Sequence, residues 1–420
     1  MTENITPYQN EVSSTGTLKI AVFSTLGPIP VPNATVVISY NNQPDNVIDN
    51  LITDSSGQTQ TVTLPAPPLE YSMIPNEPMP YSEYEVRVNA QGYEPVVITG
   101  TEILPTQNAI LPVYLPPIEF PNENKQDVNI PDHTLYGEYP PKIPEDEIKP
   151  MDDSGEIVLS RVVIPEYIIV HDGVPDDASA PNYYVTYKDY IKNVASCEIY
   201  ATWPESCLYA NILAIMSFTL NRVYTEWYRN KGYNFTITSS TAYDQKWIYG
   251  RNIYSNIDYL VDTIFNNFLS RPGVRQPLLT TYCDGNRTTC EGLSQWGSKF
   301  LGDDGYTAIE ILRYFYGDDI YINSASTVSG IPSSFPGYNL TIGSTGEKVR
   351  QIQEQLIRIA QDYPLIPVIT AGGIFGPNTQ NAVKVFQGIF NIPQTGIVDF
   401  PTWYEISEIY VGVSRIAEPI

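Results

Sequence analysis

The chain has 420 residues, 42% hydrophobic and 17% charged, too long for one core and composed like globular modules, about three by length. A formal charge of −24 excludes the basic face that nucleic acid needs, and also simple capture by an anionic membrane. Residues 1–155 carry 21 acidic and 5 basic side chains, so two thirds of the net charge sits in the first third of the chain.

The opening MTENITPYQNEVSS has neither a basic nor an apolar region, so no ordinary signal peptide is expected, and no apolar run approaches a bilayer span. Residues 16–117 read as strands: GTLKIAVFS, ATVVISY, QTQTVTL, YEVRVNA, EPVVITG and NAILPVYL are short β-branched runs separated by Pro, Gly and Asn. Their spacing predicts a small antiparallel β-sandwich. The DSSGQT turn followed by YEVRVNAQGYEP resembles the prealbumin-like or carboxypeptidase-regulatory sandwiches used as accessory modules. No catalytic constellation is visible there.

Residues 118–155 read as an acidic linker in which Pro121, Pro131, Pro140, Pro141, Pro144 and Pro150 fall among Glu, Asp and Asn. That mixture predicts a segment unable to fold alone and open to proteases. Gln126, Val128, Ile130 and Asp132 mark the expected cut, with SRVVIPEY near Val163 as a second site.

Residues 156–325 predict an α+β domain with a helical core. A strand pair is expected at IVLSRVVI and YIIVHDG. Helices follow at YKDYIKNVASCEIY, from Glu205 to Tyr228, at NIDYLVDTIFNNFLS and at TAIEILRYFYG. A loop rich in Ser, Pro and Gly then leads to residues 338–415. There Val349, Ile352, Leu356 and Ile359 keep a helical rhythm, Gly343, Gly346, Gly373 and Gly376 make turns, and a short third helix is expected at Trp403.

Two stretches carry recognisable motifs. GSTGEKVRQIQEQL, GIFGPNTQNAVKVFQ and TGIVDFPTW resemble the type 1 peptidoglycan-binding domain, a three-helix module, over residues 340–412. The resemblance implies glycan contacts from loop residues near Asn378, Gln387 and Trp403. In the middle, Tyr190, Ile191, Val194, Glu198, Trp203, Pro204, Glu205, Leu208 and Tyr224 fall where the stage II sporulation protein D family has its catalytic helix region. Farther on, Gly292, Ser294, Gln295, Trp296, Gly297, Gly305, Ile311, Leu312 and Tyr316 match that family's second motif.

The whole arrangement is similar to the spore cortex-lytic enzymes. That likeness implies a precursor activated by subtilisin-like Csp proteases at germination, located at the spore cortex or coat, with cortex peptidoglycan as substrate. Its cut would release an acidic sandwich that masks the cleft. The sporulation family implies Glu198 as a single acid–base of a lytic transglycosylase, its pKa raised by an apolar wall of Ile191, Val194, Ile199 and Trp203. Ser294, Gln295 and Trp296 would bind glycan, with Tyr282, Tyr243 and Tyr314 as further contacts; Glu205 reads as a structural carboxylate at a helix start.

Two other readings stay open. A glucosaminidase-type hydrolase needs a second carboxylate about 5–10 Å away, for which Asp284 and Glu291 are candidates. A non-catalytic wall-anchored spore protein would keep the core as a scaffold. No cofactor or metal is expected. Thr289, Cys290 and Glu291 stand before Gly292 where the family carries a His, and the only histidines are His133 and His171. Cys283 with Cys290 and Cys197 with Cys207 can pair as disulfides, or the four can form a zinc site.

Overall fold

The computed structural model describes residues 14–120, 127–137, 139–149, 161–331 and 333–415. The N-terminal region is β-rich, with strands β1 (Ser14–Ser24), β2 (Thr35–Tyr40), β3 (Gln43–Ile52), β4 (Val62–Ala66), β5 (Ser82–Asn89), β6 (Val96–Ile103) and β7 (Asn108–Leu115). One sheet runs β7-β1-β4 and the other β3-β2-β5-β6. Leu18, Ile20, Val22, Val36, Ile38 and Val86 are fully buried at alternate positions, the period that sends one strand face inward. The sheets are not wholly antiparallel as expected, because β1 and β7 pair in parallel from Thr17–Asn108 to Ser24–Leu115. Strand β3 was not expected at all, since QPDNVIDNLI is mostly exposed and reads as a polar loop. The DSSGQT turn is held by Asp54, whose carboxylate accepts from the N–H groups of Ser56 and Gln58. Gly57 has φ +72°, and a Cβ there would come within 2.4 Å of the Val22 carbonyl.

The supposed linker is folded wherever it is described. Strand β8 (Val128–Asn129) adds in parallel to β6, and Val128, Ile130, His133, Leu135, Tyr139 and Lys149 are buried. Composition misjudged this segment because it averages over residues. A few apolar pegs suffice to dock a chain whose prolines already hold it extended. Val128 and Ile130 are therefore inaccessible as a cleavage site, Asp132 is exposed, and Gln126 lies outside the described residues.

In the middle region β9 (Tyr167–His171) lies between β10 (Asn182–Thr186) and β11 (Ile237–Thr238). Thr186 caps α1 (Tyr187–Glu198) by accepting from the Asp189 N–H. The long α2 (Glu205–Tyr224) is buried on nearly every face, so its sequence is apolar all round. There follow β12 (Ile253–Tyr254), α3 (Ser255–Ile264), β13 (Asn267–Ser270), β14 (Tyr282–Cys283), β15 (Leu293–Ser294), α4 (Gln295–Asp303), α5 (Ala308–Tyr316) and β16 (Tyr321–Ser324).

Two expectations fail here. YIIVH pairs with β10, not with IVLSRVVI, of which residues 157–160 lie outside the described residues and Ile164 makes one isolated bridge to Val328. The helix at NIDYLVDTIFNNFLS stops at Ile264, and its end becomes β13, paired with β16. Asn266 explains the stop, because its amide donates to the Ala325 carbonyl at 3.1 Å and ties the chain to the neighbouring strand.

The C-terminal region is helical, with α6 (Glu347–Ile359), α7 (Pro377–Ile389) and α8 (Phe400–Arg415). Val349, Ile352, Leu356 and Ile359 are fully buried, the rhythm read from the sequence. Helix α8 is far longer than the short third helix expected, and beyond Trp403 it finds partners outside its own module. Glu405 and Glu408 both pair with Lys188 of α1.

The N-terminal β-rich region is likewise fused to the middle region. Strand β12 pairs with β7. The Glu102 carboxylate is bound through both oxygens by Arg251, and both side chains are essentially inaccessible. Asn252 and Tyr254 donate to the Glu102 carbonyl at 2.9 and 3.2 Å, and the Trp203 indole N–H donates to the Ser72 carbonyl at 2.8 Å. A cut in the connecting segment would not by itself release a module held this way.

Candidate active site

Glu198 is the last residue of α1 and has no exposed surface. A carboxylate at a helix C-terminus faces the negative end of the dipole, so its burial demands donors. Four segments supply them. Oε1 accepts from the Lys246 backbone N–H at 2.8 Å and from the Tyr282 hydroxyl at 3.4 Å. Oε2 accepts from the Gln295 amide at 3.0 Å and from the Tyr139 hydroxyl at 3.4 Å. Burial, then the nearby Glu198 charge, pushes both tyrosine hydroxyls well above their usual range, so they stay protonated donors. Lys142 lies 4.8 Å from the centre of the Tyr282 ring, and burial lowers its ammonium pKa against the pull of Glu198.

The expected apolar wall is therefore not what surrounds the carboxylate. Ile191, Val194, Ile199 and Trp203 are buried, but the groups bonded to Glu198 are polar. Of the expected glycan contacts, Gln295 and Tyr282 are brought to Glu198 and the others are not. The Ser294 hydroxyl caps α4 by accepting from the Gly297 N–H at 2.9 Å. Trp296 is buried against Trp203, with ring centres 4.9 Å apart. Tyr243 binds Arg222 through its carbonyl, and Tyr314 is 69% exposed on α5. Glu205 is exposed in the first turn of α2, as its position before a helix suggested.

Of the two expected second carboxylates, Asp284 is committed to other partners. Asp284 accepts from the N–H groups of Asn286, Arg287 and Thr288 and from the Arg287 side chain, so it builds its own loop. Glu291 is exposed. A disulfide joins Cys283 and Cys290, with Cα atoms 6.1 Å apart. Cys197 and Cys207 are separate buried thiols, so the second bridge is not formed and a four-cysteine zinc site loses two ligands to the disulfide. Among the described residues no group of three or more His, Cys, Asp or Glu is placed to hold a metal. None of the described helices is long and apolar enough to cross a membrane.

Sequence reasoning missed Tyr139, Lys142 and Lys246. The first two lie in the presumed linker, and the third acts through its backbone, which no residue type signals.

In the C-terminal module two glutamines stitch the loops. Gln353 donates to the Ile374 carbonyl and Thr379 and accepts from the Gly373 N–H. Gln387, expected to touch glycan, instead donates to Thr395, the Ile397 carbonyl and Thr402 and accepts from the Gly396 N–H. Trp403 is also fully buried, and Asn378 alone of those three is exposed.

Residues 345–406 match the family described as a putative peptidoglycan binding domain. The match supports a peptidoglycan-associated protein, with peptidoglycan as its partner. No curated protein matches the chain. Partial likenesses exist to three solved structures. The TIE protein of Bacillus anthracis is 21% identical over 25% of this chain and 18% of its own, with TM-score 0.19. The minor pilin GBS52 of Streptococcus agalactiae is 15% identical over 27% and 49%, with TM-score 0.18. Chlorocatechol 1,2-dioxygenase of Pseudomonas putida is 14% identical over 26% and 62%, with TM-score 0.17. The chain thus spans less than two thirds of each, and such likenesses carry no functional inference.

Proposed function

We propose that the chain is a spore cortex-lytic enzyme of the SleC type, made as a precursor, in which Glu198 cleaves the glycan of peptidoglycan as a lytic transglycosylase. The observation that carries this reading is one buried carboxylate ringed by Gln295, Tyr282, Tyr139 and the Lys246 N–H, in a chain bearing a peptidoglycan-binding family match. Protonated Glu198 would give its proton to the glycosidic oxygen as the bond from muramic acid C1 breaks. The resulting carboxylate would take the proton of that sugar's C6 hydroxyl as O6 bonds to C1, closing an anhydro ring and restoring the acid. Tyr282 and Gln295 would orient the carboxylate through both steps.

Hydrolysis would need a second carboxylate to activate water or attack the sugar, and the candidate Asp284 is tied into its own loop, which favours the transglycosylase route. Activation would follow proteolysis by a subtilisin-like Csp protease. Val128 and Ile130 at one expected site and Val162 and Ile164 at the other are buried, which leaves Asp132 and Arg161 as accessible points.

Glu198→Gln in processed protein tests the assignment. Loss of general acid–base catalysis typically lowers rate by about 10²–10⁴, and products of the parent should be one water lighter than hydrolysis products. Activity above half of the parent's would sink the role of Glu198, and products of full hydrolytic mass would sink the transglycosylase.

A further inference from the structure

The segment from Asp132 to Lys149 does more than connect. It crosses the Glu198 site and is bonded at each step to the middle region. Arg287 donates to the carbonyls of Thr134 and Tyr136, Tyr139 reaches Glu198, and Lys142 donates to the carbonyls of Thr241 and Asp244. Arg222 grips both oxygens of Glu145 at 2.8 and 2.7 Å, and Arg271 grips both oxygens of Glu147 at 2.6 and 2.9 Å. Gln276 exchanges two hydrogen bonds with the backbone of Lys149.

Three features distinguish this from ordinary packing. The path holds three arginines in a protein of net charge −24. Each faces an acceptor supplied by the segment. And the segment itself, an irregular chain that presents the carboxylates of Glu145 and Glu147 to arginines, has the chemistry of a glycan strand bearing acidic peptide stems. Paired guanidinium–carboxylate forks are directional and specific for planar anions.

We infer that residues 132–137 and 139–149 occupy the substrate groove as a tethered surrogate. Tyr139 sits on the catalytic carboxylate, and Glu145 and Glu147 hold arginines that bind peptidoglycan carboxylates once the segment leaves. This rests on the proposed role of Glu198. It relocates the mask from the sandwich to the strap, and it names Arg222 and Arg271 as substrate-binding residues. Removing the strap would leave Arg222, which has no exposed side-chain surface, with part of its guanidinium unpaired, so an incoming carboxylate would restore a lost partner.

The test uses full-length protein carrying Tyr139→Ala, Glu145→Ala and Glu147→Ala together, with Glu147→Ala alone beside it in case the triple variant misfolds. Hydrogen exchange over 132–149, binding of a soluble disaccharide–tetrapeptide and binding of neutral chitotetraose are measured. The C-terminal module is common to all proteins, so differences report the groove. Exchange should rise, and affinity for the disaccharide–tetrapeptide should increase about tenfold in the triple variant and less in the single one. The neutral sugar should gain less, and adding Arg271→Ala should cancel most of the gain. Unchanged exchange, or faster exchange with no gain in binding, would overturn the inference. Gained binding with no cleavage of polymeric peptidoglycan, assayed alongside, would uphold the groove and overturn the catalytic reading.

Discussion

Arg251→Met should separate a buried ion pair into its parts. Arg251 donates to both oxygens of Glu102, and the two side chains have 0% and 1% exposure. Burial raises the Glu102 pKa, and Arg251 opposes that rise. Without the guanidinium the carboxyl can remain buried only by taking a proton. Each pH unit above its ordinary value near 4.5 then costs about 1.4 kcal/mol. The parent's Glu102 is itself pushed up to about 7, so relative to the parent the variant should lose ~3 kcal/mol at pH 9 and under ~1 kcal/mol at pH 5. The sign follows from a folded pKa raised above the unfolded one: stability is full below the unfolded value and lost as pH rises toward the folded one. Glu102→Gln behaves differently, because an orphaned guanidinium cannot shed its charge. Its loss should be ~3–5 kcal/mol with little relief at pH 5. Urea denaturation at both pH values, followed by tryptophan fluorescence, measures each. A cost for Arg251→Met below ~1 kcal/mol at pH 9, or one independent of pH, would show that Arg251 does not hold the Glu102 charge and refute the reasoning.

Cys197 and Cys207 are buried, and burial pushes both thiols up to about 12. Iodoacetamide at pH 8 should add nothing to native protein, two groups after unfolding and four after reduction, read by intact mass. Gln387→Ala should destabilise the C-terminal module by ~1–3 kcal/mol in chemical denaturation, since it strands buried partners. Asn378→Ala should leave stability within ~0.5 kcal/mol and lower binding to insoluble peptidoglycan. Lys188→Ala leaves Asp262, Glu405 and Glu408 without their shared cation, so amide exchange in the last turns of α8 should accelerate by at least about tenfold; unchanged exchange would show that α8 is held without it.

The modular order and most strands and helices were legible because they depend on local period. Strong alternation marked β1 and β5, and i, i+3, i+7 spacing marked α6. What escaped depends on partners distant in sequence. Strand β12 is two residues long and exists because β7 offers an edge. The end of α3 yields to β13 because β16 lies beside it. Helix α8 outruns its motif because Lys188, more than two hundred residues earlier, waits for Glu405.

The site was legible to the extent that its parts lie inside motifs. Glu198 and Gln295 fall in two separate motifs and meet at 3.0 Å, and Tyr282 joins them. The same motifs also carried Ser294 and Trp296, whose roles are a helix cap and core packing, because a motif records what a local fold needs as well as what a substrate needs. Tyr139 had no motif, only a place in a segment whose acidity and prolines suggested looseness. That acidity also has a different meaning in the fold. Glu102, Glu145 and Glu147 are bound by Arg251, Arg222 and Arg271, so part of the negative charge of the N-terminal third attaches it to the domain that holds Glu198. An activating cut would then have to be followed by the breaking of these ion pairs, and a cut before Asp132 would leave Tyr139 covalently tied to the core it covers. A cut near Val163 would instead leave the strap attached to the N-terminal β-rich region, so that the two could separate from the core only together.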